Sequence, residues 1–405
     1  MVSICFYFQV HQPYRLGHYS IFDIGKHHNY YNEKHNLEIL ERVARKCYLP
    51  TNNLMLNLIK KHDIKLSYSF SGVALEQFQK YKPEVLESFQ KLVDTGNVEV
   101  LSETYHHSLS YLYSKNEFKN QVKLHKKKIK ELFGVTPTVF RNTELIYTND
   151  LANFIEGMGY KGILVEGSDY MLGWRSPNFL YTPVNTSKIK ALLKNYKLSD
   201  DVAFRFSTHD WAEFPLTAPK FAQWVSAVNG NGNVVNLFMD YETLGEHQWI
   251  ETGIFNFLEH LPGELLKHPD NNFKTPSEVI NSYDCVGCID VPHVMSWADI
   301  ERDTSAWLGN RMQQFAVDRL YSMEKDILAS KNKELIEDWR KLQTSDHFYY
   351  MCTKWFADGD VHKYFNPYNS PYDAFIVYMN ILNDLKYRLT GEKEEIKEEL
   401  IDKKI

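Results

Sequence analysis

The sequence predicts an α/β chain: an incomplete seven-stranded parallel (β/α)7 barrel followed by a C-terminal helical subdomain. Three observations point there. Short apolar, β-branched runs alternate with longer lysine-rich stretches whose apolar residues recur at helical spacing. Strand and helix alternating in this way build βαβ units and a parallel sheet. The alternation stops near residue 303, and helical periodicity then continues with no strand between.

Taken in order, the strands read as 2–10, 65–70, 97–101, 138–141, 162–165, 203–206 and 234–239, seven with no clear eighth. Between them, 37–61, 83–94, 117–133 and 150–158 read as helices. Pro83 suits a first helical turn, where its missing N–H costs nothing. Gly96 and Gly134 stand just past two helices, as stop signals do. Segments 170–200 and 211–232 read as aromatic loops, with Asn-Gly-Asn-Gly at 229–232 marking a turn. Further on, 304–330, 331–343, 346–356 and 371–389 read as helices, and 391–405, alternating Glu and Lys, as an exposed fraying one. The expected domains are 1–303, the barrel with loop insertions, and 304–405, a helical subdomain capping its rim.

Composition narrows the class. The chain has 405 residues, 43% hydrophobic and 14% aromatic, ample for a core and unlike a disordered chain. A net charge of −6 supplies no basic field for nucleic acid. No apolar run approaches the roughly 18 residues a membrane helix needs. The opening MVSICFYFQV reads as a first strand and not a signal peptide, lacking a basic leader and a small-residue cleavage site. Five cysteines are an odd, sparse set and predict no disulfide framework. The expectation is a soluble cytoplasmic protein with neither nucleic acid nor membrane as partner.

The strand exits carry the chemistry. They are His11-Gln12-Pro13, Ser71-Gly72, Ser102-Glu103, Asn142-Thr143-Glu144, Glu166-Gly167-Ser168-Asp169, Thr208-His209-Asp210-Trp211 and Asp240-Tyr241-Glu242. In βα barrels the active site is built on these C-terminal ends, and all but one exit here bears an acid or an imidazole. Glu144 and Asp240, projecting from different strands, form the carboxyl pair that glycoside hydrolysis requires: one protonates the leaving oxygen, the other attacks the anomeric carbon or activates water. Either could equally cap a helix or sit in an ion pair. Trp174, Trp211, Trp224, Trp249 and Trp297 fall in loops or near strand ends, where indoles stack on sugar rings or cover loop junctions. His11, His209 and Asp240 could in principle hold a metal, but no HExxH occurs and Cys285-Val-Gly-Cys288 is a lone CxxC, so no metal is expected. Phosphate-binding GxGxxG and Walker loops and a GxSxG elbow are absent.

Together these rim motifs resemble glycoside hydrolase family 57, which contains α-amylases, 4-α-glucanotransferases and glucan branching enzymes. His11-Gln12-Pro13 looks like the family's first motif, and Gly96-Asn97-Val98-Glu99 is similar to the second. Arg141-Asn142-Thr143-Glu144-Leu145 looks like the third, whose glutamate is the nucleophile. Asp240-Tyr241-Glu242-Thr243-Leu244-Gly245 resembles the fourth, whose first aspartate is the acid/base. Thr344-Ser345-Asp346-His347-Phe348 resembles the fifth, with His347 where the family often has Trp.

The resemblance implies a seven-stranded incomplete barrel and a retaining, cofactor-free reaction on α-1,4-glucans, closest to the compact α-amylase-type members. It casts Glu144 as nucleophile and Asp240 as acid/base. His11, Glu99 and Asp346 would hold sugar hydroxyls or orient the carboxyls, with Trp211, Trp297 and His347 also at the substrate. A 4-α-glucanotransferase or branching enzyme would use the same pair. A metal-dependent polysaccharide deacetylase would need an Asp-Asp pair ending the first strand and an HxxxH later, and neither occurs. A catalytically silent glucan-binding protein should have lost one carboxylate, and both are present.

Overall fold

The computed structural model describes residues 1–354 and 365–391. The expected fraying helix after Gly391, and the end of the one expected at 346–356, lie outside the described residues. Ten strands occur among those described: β1 (Val2–Val10), β2 (Leu66–Phe70), β3 (Val98–Val100), β4 (Val139–Phe140), β5 (Gly162–Val165), β6 (Leu180–Pro183), β7 (Lys190–Leu193), β8 (Val234–Asp240), β9 (Asn271–Phe273) and β10 (Cys285–Ile289).

β1 is buried along its whole length. It pairs in parallel with β2 from Phe6↔Leu66 to Val10↔Phe70, and with β8 from Ser3↔Val234 to Gln9↔Asp240. β2 continues to β3, and β4 pairs with β5 and β5 with β7, all parallel. Two seams join these runs without a full ladder. Ser102 bridges Phe140 between β3 and β4. Between β7 and β8, the Asn195 backbone N–H donates to the Asn236 carbonyl (2.9 Å), and the Asn236 side chain to the Leu193 carbonyl (2.8 Å). The seven parallel strands β1, β2, β3, β4, β5, β7 and β8 thus form an incomplete (β/α)7 barrel. β6 is antiparallel to β7 and carries β10 on its far side, while β9 pairs with the first residues of β1.

Period-2 alternation divides β1 between two cores. Cys5 and Tyr7 join Leu101, Val139, Leu164 and Phe238 in a fully buried interior cluster. Phe6 and Phe8 stack on one another on the opposite face, and Phe8 meets Tyr68 and Tyr241. Each such side chain removed from water stabilises the fold by roughly 1.5–3 kcal/mol.

One expected strand is corrected. Residues 203–206 are the end of a helix, Tyr196–Ala203, and the turn after it. Asn195 caps that helix by accepting from the Leu198 N–H (3.1 Å). The sixth parallel strand is instead β7, inside the stretch read as loop. Its Lys-Ala-Leu-Leu has no β-branched residue to announce it, and pairing with β5 and β6 makes it a strand.

The chain divides into two compact units. The first comprises Met1–Gln12, Leu37–Tyr111 and Lys115–Thr304. The second gathers Pro13–Asn36 and Leu112–Ser114 with the described residues from Ser305 onward. A buried carboxylate explains why 13–36 belongs there. Asp384, on the helix Pro371–Thr390, accepts from the Gly25 backbone N–H (2.6 Å), from His28 Nδ1 (2.8 Å) and from the Tyr30 hydroxyl.

Candidate active site

Glu144 sits in a single 3-10 turn, Thr143–Leu145, directly after β4. Its backbone is left-handed (φ 56°, ψ 27°), and so is that of Leu145 (φ 50°). For residues with a Cβ this costs on the order of 1 kcal/mol each and persists only where neighbours over-determine it. Here they do. The Asn142 amide donates to the Ile146 carbonyl (2.9 Å), Tyr147 exchanges backbone hydrogen bonds with Met295, and the Trp297 N–H donates to the Glu144 carbonyl (3.2 Å).

The carboxylate is gripped at both oxygens. His107 Nε2 lies 3.0 Å from Oε1, and the Trp297 indole N–H donates to Oε2 at 2.7 Å. The other imidazole nitrogen of His107 is 3.0 Å from Glu103 Oε2. Both ring nitrogens therefore face carboxylate oxygens, and the ring is an imidazolium. Burial alone would lower the His107 pKa; the hydrogen bonds and charges of Glu103 and Glu144 outweigh it and push it up to about 9. Burial likewise opposes ionisation of Glu103, yet His107, Arg141 and His125 hold it down to about 2. Glu144 is held below its ordinary value against burial by His107, Arg141 and Trp297.

Glu103 has its own supports. Gln9 Nε2 donates to its second oxygen (3.1 Å), and Gln9 in turn accepts from Tyr7 (2.8 Å) and Ser69 (2.9 Å). Gln9 is also the ladder partner of Asp240, so one residue of β1 links Glu103 through its side chain and the end of β8 through its backbone. Arg141 is fully buried, and its guanidinium stacks over the Trp297 indole (4.9 Å to the ring centre) with no hydrogen-bond partner among the described residues. Its charge is compensated through space by Glu103, Glu144 and Asp240. Lys194 Nζ lies 5.4 Å from the same indole.

Asp240 ends β8. It is open to solvent but crowded by protein on the remaining sides. That desolvation, and next the charge of Glu144, push its pKa up to about 6 against the pull of Arg141, His107 and Lys194. Behind it, Glu242 is buried and accepts from the Tyr48 hydroxyl. Burial first, then Asp240, push Glu242 up to about 8. Tyr48 closes a π-helical turn, Ala44–Tyr48, a distortion often met at functional sites.

The structure gathers Glu144, Asp240, His11 and Trp297 from the expected set. The His11 ring stacks on His107 (centres 4.0 Å apart, 22° between planes) and its Nδ1 meets the Ser71 hydroxyl at 2.6 Å. Glu99 and Trp211 make other contacts. Glu99 is in the middle of β3, four residues before Glu103, and accepts from the Ser277 N–H (2.8 Å) and hydroxyl (2.5 Å). It therefore caps the helix Pro276–Ser282, and Glu103, beyond the end of β3, is the carboxylate that meets the imidazole bound to Glu144. Trp211 follows a helix and a turn, not a strand, and packs on Trp224 and Arg205. Asp346 and His347 belong to the second unit, where His347 is buried beside Tyr378 (ring centres 5.8 Å apart). Sequence reading assigned no role to Glu103, His107 or Arg141. The available signals were Glu103 at a strand exit, a His doublet four residues on, and Arg141 ending a strand.

A barrel rim with two carboxyls in opposed electrostatic surroundings is the equipment of an enzyme that cleaves glycosidic bonds. The sequence profile described as Glycosyl hydrolase family 57 matches residues 5–292. A protein of Methanocaldococcus jannaschii, provisionally named an alpha-amylase, is 46% identical over 400 residues, covering 95% of this chain and 84% of that one. The chain belongs to glycosyl hydrolase family 57 and is a glycoside hydrolase. Its fold matches a 4-alpha-glucanotransferase from Thermococcus litoralis (TM-score 0.72, 15% identity, 96% of this chain and 60% of that one). It also matches a branching enzyme from Pyrococcus horikoshii (TM-score 0.71, 15% identity, 98% and 92%). Among the described residues, no helix is long and apolar enough to cross a membrane.

Proposed function

We propose that this chain is a retaining α-amylase-type enzyme acting on α-1,4-glucans, with Glu144 as nucleophile and Asp240 as general acid/base. The observation that carries the reading is the split between the two carboxyls. Glu144 is held ionised by two hydrogen-bond donors, and Asp240 is pushed up to about 6, so one can attack while the other still bears a proton.

In the first half-reaction Asp240 gives its proton to the glycosidic oxygen as the C1–O bond breaks, and a Glu144 oxygen bonds to C1. Forming that ester removes the Glu144 charge, which was holding the Asp240 proton on. Asp240 is then the base that takes a proton from incoming water. The water oxygen bonds to C1, the ester bond breaks, and both carboxyls return to their starting states. His107 and Trp297 orient the nucleophile, and His11 and the Trp297 ring supply surfaces for the sugar. No step calls on a metal or organic cofactor. Five free thiols, three of them buried, suit a reducing compartment such as the cytoplasm.

If a sugar hydroxyl replaces water, the same pair transfers a glucan chain. The two structural relatives, a glucanotransferase and a branching enzyme, keep that as the second reading. Incubation with maltoheptaose and soluble starch, with and without chelator, separates them once products are resolved by length. Short maltooligosaccharides rising with time, indifferent to chelator and released as the α-anomer, are expected. Products longer than the input would make it a transferase, and no product from either glucan would overturn the proposal.

A further inference from the structure

Trp297 is carried on a segment between β10 and residue 304 that has neither helix nor strand. Two of its residues, Asp299 and Arg302, have left-handed backbones (φ 54° each). Near its start, Met295 pairs with Tyr147 of the loop after β4. Near its end it folds back on itself, the Ser296 N–H donating to the Arg302 carbonyl (2.9 Å). A strap of this kind has little of its own to keep an indole on target, since most of its backbone groups are not in a ladder.

The Arg302 side chain turns under the strap and donates through Nη1 to the Trp297 carbonyl. Nη2 donates to Asp200 Oδ2 (3.2 Å), and Nη1 lies 3.6 Å from Glu166 Oε2. Lys194 Nζ joins the same two acids, 2.9 Å from Asp200 Oδ1 and 3.6 Å from Glu166 Oε2. Two cations and two anions therefore alternate in a buried ring, with only 17% of the Arg302 side chain and 5% of that of Lys194 exposed. The acids are anchored on the barrel: Glu166 directly follows β5, and Asp200 lies on the helix after β7. Lys194, the residue after β7, also faces the Trp297 indole.

We propose that Arg302 is a positioning residue for the nucleophile, clamping the Trp297 strap to the ends of β5 and β7 so that the indole N–H stays on Glu144. The inference rests on Glu144 being the nucleophile, and deepens that reading. Arg302 acts through Trp297 and touches no reacting atom. Its planar fork reaches the Trp297 carbonyl and two carboxylates at once, which a neutral side chain of the same length does not. With the clamp released, Glu144 loses the donor at Oε2. It should then be both less well aimed and easier to protonate.

The test compares Arg302→Met and Arg302→Lys with wild type in protein labelled with 5-fluorotryptophan, the Trp297 resonance among the eight being assigned by Trp297→Phe. In Arg302→Met we expect the Trp297 fluorine signal to shift or broaden, kcat to fall ~10–100-fold with KM within about threefold, and the acid limb of the pH profile to move to higher pH. Arg302→Lys should recover much of kcat and bring the resonance back toward wild type. A folded Arg302→Met with unchanged resonance, kcat and acid limb overturns the proposal. So does a loss of activity with resonance and acid limb unmoved, which would be a merely structural effect. If Arg302→Met does not fold, Asp200→Asn carries the test, with smaller changes in the same directions expected and their absence overturning it. The fluorine signal reports the clamp without reference to activity. Turnover surviving in Glu144→Gln would therefore sink the nucleophile assignment separately.

Discussion

His107 Nε2 stands 3.0 Å from Glu144 Oε1, and that contact couples the proposed nucleophile to a second carboxylate, Glu103, beyond the end of β3. The imidazolium balances Glu103 on one side and Glu144 on the other. A buried ring between two anions stays charged, and a charged ring keeps Glu144 ionised. Removing the link changes Glu144 in two ways at once, orientation and proton affinity. His107→Gln should lower kcat ~100-fold and move the acid limb of the pH–rate profile to higher pH, since Glu144 loses a cationic donor. Steady-state kinetics across pH checks this; an acid limb that stays put would show that the two groups are not coupled.

In the proposed mechanism the two carboxyls do different things, so their amides should fail differently. Glu144→Gln should cost at least ~10⁴-fold in kcat on every substrate, with glucan binding and circular dichroism retained. Asp240→Asn should hurt poor leaving groups far more than activated glycosides such as maltosyl fluoride, which leaves without a proton. Equal losses on both substrate types would remove Asp240 from the acid role.

The wild-type pH–rate profile follows from the signs. The proposed mechanism needs Glu144 ionised, and its pKa lies below the ordinary 4.5, so activity should fall as pH drops through that lower value. Asp240 must be protonated, with a pKa raised to about 6, so activity falls as pH rises through about 6. A bell in kcat/KM with its maximum between these limbs is expected, its basic limb absent from Asp240→Asn. A flat profile from pH 5 to 8 would contradict it.

Stability carries a separate signature of the same relay. Glu103 is depressed to about 2 from 4.5, so its contribution is present above 4.5 and lost as pH falls toward 2. His107 is raised from 6.5 to about 9, so its contribution is fully present below 6.5 and lost as pH rises through 9. Denaturant midpoints should therefore decline from about pH 6.5 upward, and the decline should be shallower in His107→Gln. Identical alkaline slopes in the two proteins would argue against a charged His107 in the fold.

Glu99 lies in β3 and Glu103 just beyond its end, and only the second meets the imidazole that holds Glu144. Glu103→Gln should reduce kcat by ~10-fold or more, while Glu99→Gln should lower the melting temperature by several degrees and leave kcat within about threefold, because Glu99 supports a helix start. Thermal melts and initial rates on both variants decide it, and the reverse pattern would restore Glu99 to the site.

Much of the fold was legible because its signals are local. The apolar runs in Val2–Val10 and Val234–Asp240, the glycines ending helices and the acids at strand exits are all read within a few residues. β7 was not, because Lys-Ala-Leu-Leu has no strand pattern of its own and is extended only through its neighbours. The carboxyl pair was legible for the same reason as the long strands: Glu144 and Asp240 end strands that patterning reveals. Glu99 misled because it stands in the better motif four residues before Glu103, and sequence does not say which of the two lies at the level of the rim.

The sequence by itself determined the α/β class, six of the seven parallel strands and the placement of Glu144 and Asp240 at strand exits, since apolar runs and chain order suffice for each. Tertiary structure alone decided that Glu103 and not Glu99 reaches the site, that His107 links two acids, and that Arg141, Lys194 and Arg302 converge on Trp297. Those meetings depend on register between distant strands and on left-handed turns at His107, Glu144 and Leu145. Such backbone states are unfavourable locally, so no local signal announces them. They exist because the packed barrel, and the hydrogen bonds it brings within reach, make them the lowest state of the whole.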